Sequence, residues 1–403
     1  MQLQSSPEDR ISIVDALRGF SLWGIIVVHL IEQYLGGYPP PDRVNYAVHF
    51  PADEVVKAIN KAFFLSKFFT IFSLLFGLSF FIQMDRAGRR GQRFTGRFAW
   101  RLLVLFAIGF AHNLFFRGDI LTVYALLGLL LILFYRAPDW LLLSVSGLIV
   151  AGGPRFLVQW VKLRWTEPMT EAGRAAFNAA NTHYFYTVKT GTLWDVFSLN
   201  VWDGWLSKMA FQFDVFGRGY LTFALFLLGL FLGRRRFFER ISSYQHLFLP
   251  AITVGLVLTL GLEGLRQQLF RNFDIRSWET MRGLAIQDIQ NLSFTLVLIS
   301  AFFLIYLNRK GRKVLEILSP YGRMALTNYF TQSVIGTFIF FGFGLGLLGD
   351  IGALTCFIIA QGITTFQIGI SHFWMRFFKY GPLEWFWRSA TYLRWQPIWK
   401  RNT

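Results

Sequence analysis

Long apolar runs separated by short polar segments make up most of this 403-residue chain. A helix that crosses a membrane needs about 20 consecutive apolar residues, so a run of about 18 or more predicts a span. About ten such runs are present, at roughly 12–35, 63–84, 98–116, 119–135, 139–161, 210–233, 244–263, 291–308, 322–346 and 352–375. The pattern therefore predicts an all-α, polytopic membrane protein of about ten transmembrane helices.

Positive charge is concentrated in three of the polar connections. Arginine and lysine follow the second, sixth and eighth runs, at 86–101, 234–240 and 309–313. Cytoplasmic loops carry an excess of these residues, and an even number of spans places both termini on one side. We therefore expect cytoplasmic N- and C-termini. The longer connections then face outward, near 36–62, 162–209 and 264–290.

Composition supports the membrane interpretation and limits the classes of partner that we expect. Mean hydropathy is +0.42, phenylalanine supplies 46 residues, and only 16% of the chain is charged. The net charge of +17 follows the loop pattern, so we expect membrane lipids and no nucleic acid as partners. The single cysteine, Cys356, excludes an intrachain disulfide and a thiol-rich metal site, and no metal is expected. No polar stretch can bury a core of its own, so residues 1–403 are predicted to form one transmembrane domain.

The first apolar run carries ionisable residues that a membrane helix normally avoids. Asp15, Arg18 and His29, together with Gln33, fall within an arc of roughly 60° when each residue turns about 100°. Arg or Asp near the bilayer centre costs about 2.5 to 3.5 kcal/mol, so such residues normally face the bundle interior and pair. Asp15 and Arg18 are three residues apart and can pair with each other.

Two further groups of polar residues are candidates for function. His112 ends the third run and Asp119 opens the fourth, so a carboxylate–imidazole contact across this hairpin is expected. Such a contact suits a general base, and it equally satisfies two buried polar groups without catalysis. Arg323 and Arg388 lie on the predicted cytoplasmic face, where they could hold nucleotide phosphates or fasten the C-terminal segment.

Five segments in the same order resemble the YeiB-like family of bacterial multi-pass membrane proteins. They are Asp15-Ala-Leu-Arg18-Gly19, Lys67-Phe-Phe-Thr-Ile-Phe-Ser-Leu-Leu-Phe-Gly77-Leu, Gly118-Asp119-Ile-Leu-Thr-Val-Tyr124-Ala-Leu-Leu-Gly128, Pro320-Tyr-Gly322-Arg-Met324-Ala-Leu-Thr327-Asn328-Tyr329 and Gly381-Pro-Leu-Glu384-Trp385-Phe-Trp387-Arg388. The resemblance implies a protein of the bacterial cytoplasmic (inner) membrane. The family is in turn similar to transmembrane acyltransferases, which include heparan-glucosaminide N-acetyltransferase and the bacterial sugar O-acyltransferases.

That wider similarity implies roles for individual residues. In the sugar O-acyltransferases an Arg, ten intervening residues and a His occupy the first helix, and Arg18 and His29 reproduce this spacing. The lysosomal enzyme carries its catalytic His in the following lumenal loop, where His49 is the counterpart. The resemblance thus implies acyl-CoA, above all acetyl-CoA, as donor substrate and a histidine as base. The residues that would bind the donor are Asp15, Arg18, Arg323 and Arg388.

Three functions compete at this point. The first is a membrane acyltransferase that moves an acyl group from cytosolic acyl-CoA to a sugar, lipid or small amine or alcohol at the outer face. The second is a transporter or flippase of a small solute or lipid, since ionisable residues in membrane spans also mark transport pathways. The third is a scaffold in which the polar residues only join helices. The choice between His29 and His49 as base, the acceptor, and the choice between monomer and homodimer stay open.

Overall fold

A computed structural model describes residues 11–89, 91 and 95–400. These residues form α-helices joined by turns and contain no strand, apart from one isolated bridge between Phe378 and Trp399. The helices are α1 Ser12–Ile31, α2 Pro51–Ile59, α3 Phe68–Arg89, α4 Thr95–Phe115, α5 Leu121–Leu133, α6 Asp139–Val150, α7 Gly153–Trp165, α8 Glu171–Thr190, α9 Leu193–Val201, α10 Asp203–Phe213, α11 Arg218–Arg234, α12 Gln245–Gly261, α13 Glu263–Leu269, α14 Trp278–Leu307, α15 Arg309–Leu315, α16 Leu318–Arg323, α17 Ala325–Phe340, α18 Ala353–Phe377 and α19 Pro382–Tyr392. The prediction of an all-helical chain is confirmed.

Each predicted span overlaps one helix or two, and the helices differ in length. Six helical segments of the described chain are long and apolar enough to cross a membrane, and up to eight are if each bent pair counts as one span. The bent pairs are α6–α7, at 51°, and α10–α11, at 62°. Helix α5 has 13 residues and α17 has 16, which is shorter than a membrane-crossing helix requires. The chain is thus a multi-pass, membrane-type helical protein, and the count of ten spans stays a prediction.

The bundle has two distinct ends. At one of them the C-terminal helix α19 packs on the start of α4, where the Trp387 indole donates to the Arg101 carbonyl at 2.8 Å. Helix α1 also begins there, and Ser12 contacts Glu316. We call this the terminal end. At the opposite end, the loop end, α1 finishes and α8 lies against the segment that follows α17, through the Gly342 N–H and the Val188 carbonyl.

The C-terminal third of the chain holds α1 at both ends. Near the terminal end α16 approaches so closely that a Cβ on Gly322 would lie 1.9 Å from the Asp15 carbonyl oxygen. At the loop end the Gln33 amide donates to the Ile351 carbonyl at 2.7 Å and accepts from the Gly349 N–H at 2.6 Å. Gln33 has a φ of 49°, so α1 has already ended at this residue. The expected place of Gln33 in one helical arc with Asp15, Arg18 and His29 is therefore wrong, because the helix does not continue that far.

Helices α3 and α11 pack in close contact through glycines. A Cβ on Gly77 would lie 2.1 Å from the Phe226 carbonyl oxygen, and one on Gly229 would lie 2.0 Å from that of Leu74. Small residues allow such backbone approach between membrane helices. This contact fixes α11, whose first residue, Arg218, faces the interior of the bundle.

The bend before α11 is stabilised by an arginine from α7. The chain turns at Gly217, with a φ of 62°, a conformation that glycine adopts without strain. Arg155 donates to the carbonyls of Val215 at 2.7 Å and Phe216 at 3.0 Å, and pairs with Asp288 at 2.6 Å. The carbonyl groups exposed by the bend are therefore satisfied, and the bend is a defined feature of the fold.

Candidate functional site

A cavity of about 1850 Å³ extends through the bundle from the terminal end to the loop end. Five of the predicted site residues line it: Asp15, Arg18, His29, Arg323 and Arg388. The structure thus brings the polar residues of α1 and the arginines of the C-terminal third to one internal space.

Basic side chains crowd the cavity at the terminal end. The cations that line it there are Arg18, Arg86, Arg101, Arg323, Lys379, Arg388 and Lys400. Burial, and then the nearby Arg323 cation, lower the pKa of Lys400, as expected where like charges meet. The Arg101 guanidinium lies over the Trp387 ring at 3.5 Å. This mouth of the cavity is suited to anions.

The carboxylates at that mouth have partners. Arg18 pairs with Asp15 at 2.7 Å and donates to the Ser79 hydroxyl at 2.6 Å. The predicted pairing of Asp15 with Arg18 is therefore present. Glu384 accepts from the Leu326 N–H at 2.6 Å and from the Thr327 hydroxyl at 2.6 Å, so it caps the start of α17. Glu384 thereby fastens α19 to the bundle.

His29 lies in the half of the cavity near the loop end, among aromatic rings. Its ring centroid is 5.1 Å from that of Phe116, 5.3 Å from that of Tyr34 and 6.3 Å from that of Tyr329. Its Nδ1 is buried and has no hydrogen-bond partner among the described residues. Buried polar atoms normally have a partner, and this Nδ1 is one of several in the described chain that do not.

His112 and Asp119 form the predicted contact, with Nδ1 and Oδ1 2.9 Å apart and both side chains fully buried. Neither is among the residues that line the cavity. Asp119 also accepts from the N–H groups of Leu121 and Thr122, both at 3.0 Å, and so caps α5. Lys208 lies 3.5 Å from the same carboxylate. This geometry is what the structural interpretation of the pair predicts, and it separates the two residues from the cavity surface.

The two histidines of α1 and α4 approach each other but do not share one pocket. His112 has its ring 4.9 Å from Tyr329 and 6.4 Å from Phe116, the same two rings that flank His29. Its Nε2 is buried and lacks a partner in the described part of the chain. His29 therefore does not meet His112 and Asp119 directly, and the Phe116 and Tyr329 rings contact both histidines.

His49 lies apart from these residues. It is exposed in the connection after α1, and its backbone N–H donates to Asp53 at 3.0 Å. It does not line the cavity. The structure thus places one of the two alternative bases, His29, in the cavity and the other outside it.

Several ionisable residues of the cavity were not expected from the sequence, and two of them, Glu32 and Arg218, lie near His29 along the chain or in the same half of the cavity. Glu32 directly follows α1 and is exposed, and it lines the cavity, so its exposed surface faces that internal space. Arg218 also lines the cavity, over the Phe69 ring at 4.0 Å. Arg218 lies inside the predicted span 210–233, and an ionisable residue in an apolar run was the signal that would have identified it.

Comparison with other proteins identifies the family. The chain is 30% identical over 407 residues to Uncharacterized protein YxaH of Bacillus subtilis (strain 168), covering 98% of this chain and 97% of the relative. It is also 26% identical over 399 residues to Uncharacterized protein YeiB of Escherichia coli (strain K12), covering 94% and 95% respectively. The chain belongs to the YeiB-like family. A protein of Bacillus acidopullulyticus, called Uncharacterized 39.9 kDa protein in amylase 3'region, is 28% identical over 408 residues.

The part of the YeiB-like chain that matches a family model is its C-terminal portion. Residues 232–394 match the family described as Protein of unknown function (DUF418). This portion includes the segments that hold α1 at both ends, and Arg323 and Arg388 of the basic mouth. Helix α1 itself, with Asp15, Arg18 and His29, lies outside the matched residues but within the full-length similarity to YxaH.

Proposed function

We propose that this YeiB-like protein is a membrane acyltransferase, which moves an acyl group from cytosolic acyl-CoA to an acceptor at the outer face. In this proposal the terminal end faces the cytoplasm of a bacterial cell, because the basic connections gather at that end. The observation that carries the proposal is that one cavity is lined both by a cluster of basic side chains and by a partly exposed imidazole with an unpartnered nitrogen.

The basic mouth suits the phosphates of coenzyme A. Arginine binds phosphate through two parallel hydrogen bonds, and Arg101, Arg323 and Arg388 line the mouth together. His29 lies eleven residues after Arg18, about 16 Å further along α1 at 1.5 Å per residue. An extended pantetheine arm that enters at the mouth runs in that direction.

His29 is the base in the proposed reaction. Its imidazole takes the proton of the acceptor hydroxyl or amine, and the oxygen or nitrogen attacks the thioester carbonyl carbon. The carbon–sulfur bond breaks, the coenzyme A thiolate leaves, and the proton passes from His29 to that thiolate. A carbon–oxygen or carbon–nitrogen bond to the acyl group remains on the acceptor. No metal takes part in this proposal.

The test uses His29→Ala in inverted membrane vesicles supplied with radiolabelled acetyl-CoA. We expect label to enter vesicle material with the wild type and to fall by roughly a hundredfold or more in the variant, because general-base catalysis contributes on that scale. His246→Ala, an exposed histidine away from the cavity, is the matched control and should keep full incorporation. Unchanged incorporation in His29→Ala, or no thermal shift of the purified wild type with acetyl-CoA or longer acyl-CoAs, contradicts the proposal.

Transport is the second candidate, and the extent of the cavity favours it. The cavity is lined by residues of both ends of the bundle, as a pathway for a solute or lipid would be. Passage of an unmodified solute or lipid across reconstituted vesicles, without acyl-CoA, would support this function in place of acyl transfer.

A further inference from the structure

Arg218 is a cation inside the bundle whose guanidinium makes no hydrogen bond or ion pair with the described residues. Among the described residues no carboxylate oxygen lies within 4.0 Å of its guanidinium, and no protein acceptor takes a hydrogen bond from it. Its contact is the face of the Phe69 ring, at 4.0 Å. Glu32 faces the same cavity but does not reach ion-pair distance.

Two other interior arginines, Arg155 and Arg117, have oxygen acceptors, whereas Arg101 at the basic mouth lies over an aromatic ring as Arg218 does. Arg155 donates to two carbonyls and pairs with Asp288. Arg117 donates to the Gly36 carbonyl at 3.1 Å and lies over the Tyr184 ring at 3.4 Å. Arginine within a membrane segment costs several kcal/mol unless it is paired or solvated, and such residues usually mark a ligand site. An unpaired arginine in a cavity therefore indicates an anionic ligand.

The cavity wall near the loop end combines apolar surface with charged side chains, among them Lys162, Asp203 and Asp214. Its apolar part, the apolar wall, consists of large side chains that are more than a third exposed: Tyr38, Met169, Phe177, Phe211, Phe273 and Ile275. Phe211 stacks on Phe216 at 5.6 Å, and Phe216 is two residues before Arg218. The apolar wall therefore begins next to the unpaired cation.

We infer that the acceptor is an anionic amphiphile, a lipid whose head group carries a phosphate and a free hydroxyl. That the lipid is an acceptor rests on the proposed function, whereas the binding of the lipid does not depend on acyl transfer. The phosphate binds Arg218, as basic pockets between membrane helices bind lipid head groups. The hydrocarbon portion lies along the apolar wall, and the hydroxyl is within the part of the cavity that His29 lines.

The charge distribution along the cavity separates the two substrates. The basic mouth at the terminal end has many cations and suits the several phosphates of a nucleotide. In the half near the loop end the lysines that line the cavity have carboxylate partners, Lys162 with Asp214 and Lys208 with Asp119, so Arg218 beside the apolar wall suits one phosphate attached to hydrocarbon. A water-soluble sugar would leave that apolar surface uncovered, whereas a lipid acceptor covers it.

The experiment measures lipid binding to the purified protein in detergent, by native mass spectrometry with phosphatidylglycerol and phosphatidylcholine as probes. We expect phosphatidylglycerol to bind more tightly, and Arg218→Gln to weaken it by roughly tenfold to a hundredfold, since hydrogen bonds to charged groups contribute on that scale. Arg218→Lys, which keeps the charge, should lose less. Arg235→Gln is the matched control, because Arg235 is an exposed arginine at the other end of α11 that pairs with Asp139. It should bind as the wild type does.

The outcomes separate this inference from the proposed function. Equal binding of the two lipids to the wild type, or full phosphatidylglycerol binding by a folded Arg218→Gln protein, overturns the inference. Loss of acyl transfer in Arg218→Gln with lipid binding intact also overturns it, because Arg218 would then act on the reacting atoms. If both the wild type and His29→Ala bind phosphatidylglycerol selectively, and the wild type transfers no acyl group, the inference is supported and the acyltransferase is rejected.

Discussion

At the scale of single residues, the same type of side chain has different roles according to what surrounds it. Asp119 is fully buried with His112, two N–H donors and Lys208 around it, so its charge is matched within the fold. Glu32 is exposed to the cavity and makes no side-chain hydrogen bond or ion pair among the described residues. Asp119 therefore acts as a structural anchor, and Glu32 belongs to the surface that a ligand meets.

The carboxyl of Glu384 gives a pH-dependent prediction. Burial raises its pKa above the usual 4.5 although it caps α17. A carboxyl whose pKa is higher in the folded than in the unfolded state stabilises the fold at a pH below its unfolded-state pKa. That stabilisation is lost as pH rises through the folded-state pKa. We therefore expect the unfolding temperature of the wild type, relative to Glu384→Gln, to fall as pH is raised from about 4.5. Thermal unfolding in detergent over a pH series measures this difference, and a difference that grows with pH would contradict the assignment.

The residues of the site were only partly predictable from the sequence. Asp15, Arg18 and His29 stand out because ionisable groups in an apolar run are unusual, and all three line the cavity. Glu32 was missed because an uninterrupted helix places it outside the arc that holds Asp15, Arg18, His29 and Gln33. The left-handed residues after α1 change this placement, and they depend on a contact with Gly349 that no local pattern reveals.

At the scale of helices, backbone contacts decide where the site residues lie. Arg218 is the first residue of α11, and α11 is fixed against α3 through Gly77 and Gly229. The spans were predictable because apolar length is a local property of the sequence. The bend of 62° before α11 was not, because it depends on Arg155, a residue of another helix.

A substitution at Gly229 tests this packing. A Cβ at Gly229 would lie 2.0 Å from the Leu74 carbonyl oxygen, so Gly229→Ala forces α3 and α11 apart. We expect a loss of about 1–3 kcal/mol, the usual cost of overpacking, measured as a lower unfolding temperature in detergent. Gly362→Ala in α18 is the control, because a Cβ there meets no atom within 4 Å. Equal stability of the two variants would show that the close contact does not fix the position of α11 against α3.

At the scale of the whole molecule, the proposed reaction requires the terminal end to face the cytoplasm. Cysteine labelling can test this orientation, since the native Cys356 is fully buried. In intact cells a membrane-impermeant maleimide should label Asn45→Cys, which is exposed at the loop end, and should leave Lys310→Cys, exposed at the terminal end, unlabelled. Both should react after permeabilisation. The reverse pattern would invert the orientation and place the basic mouth outside.

The two contacts that hold α1 have a consequence for synthesis in the cell. Gln33 and Gly349 are 316 positions apart, so at roughly 5–20 residues per second α1 waits between about 16 seconds and a minute for this anchor. During that time the helix lies in the bilayer with the side chains of Asp15, Arg18 and His29, before the rest of the protein has been synthesised. The Asp15–Arg18 pair forms within one turn of α1 and needs no later segment. In the nascent chain each of these two charges therefore already has its partner. The pair that borders the cavity in the finished protein thus also serves the nascent one.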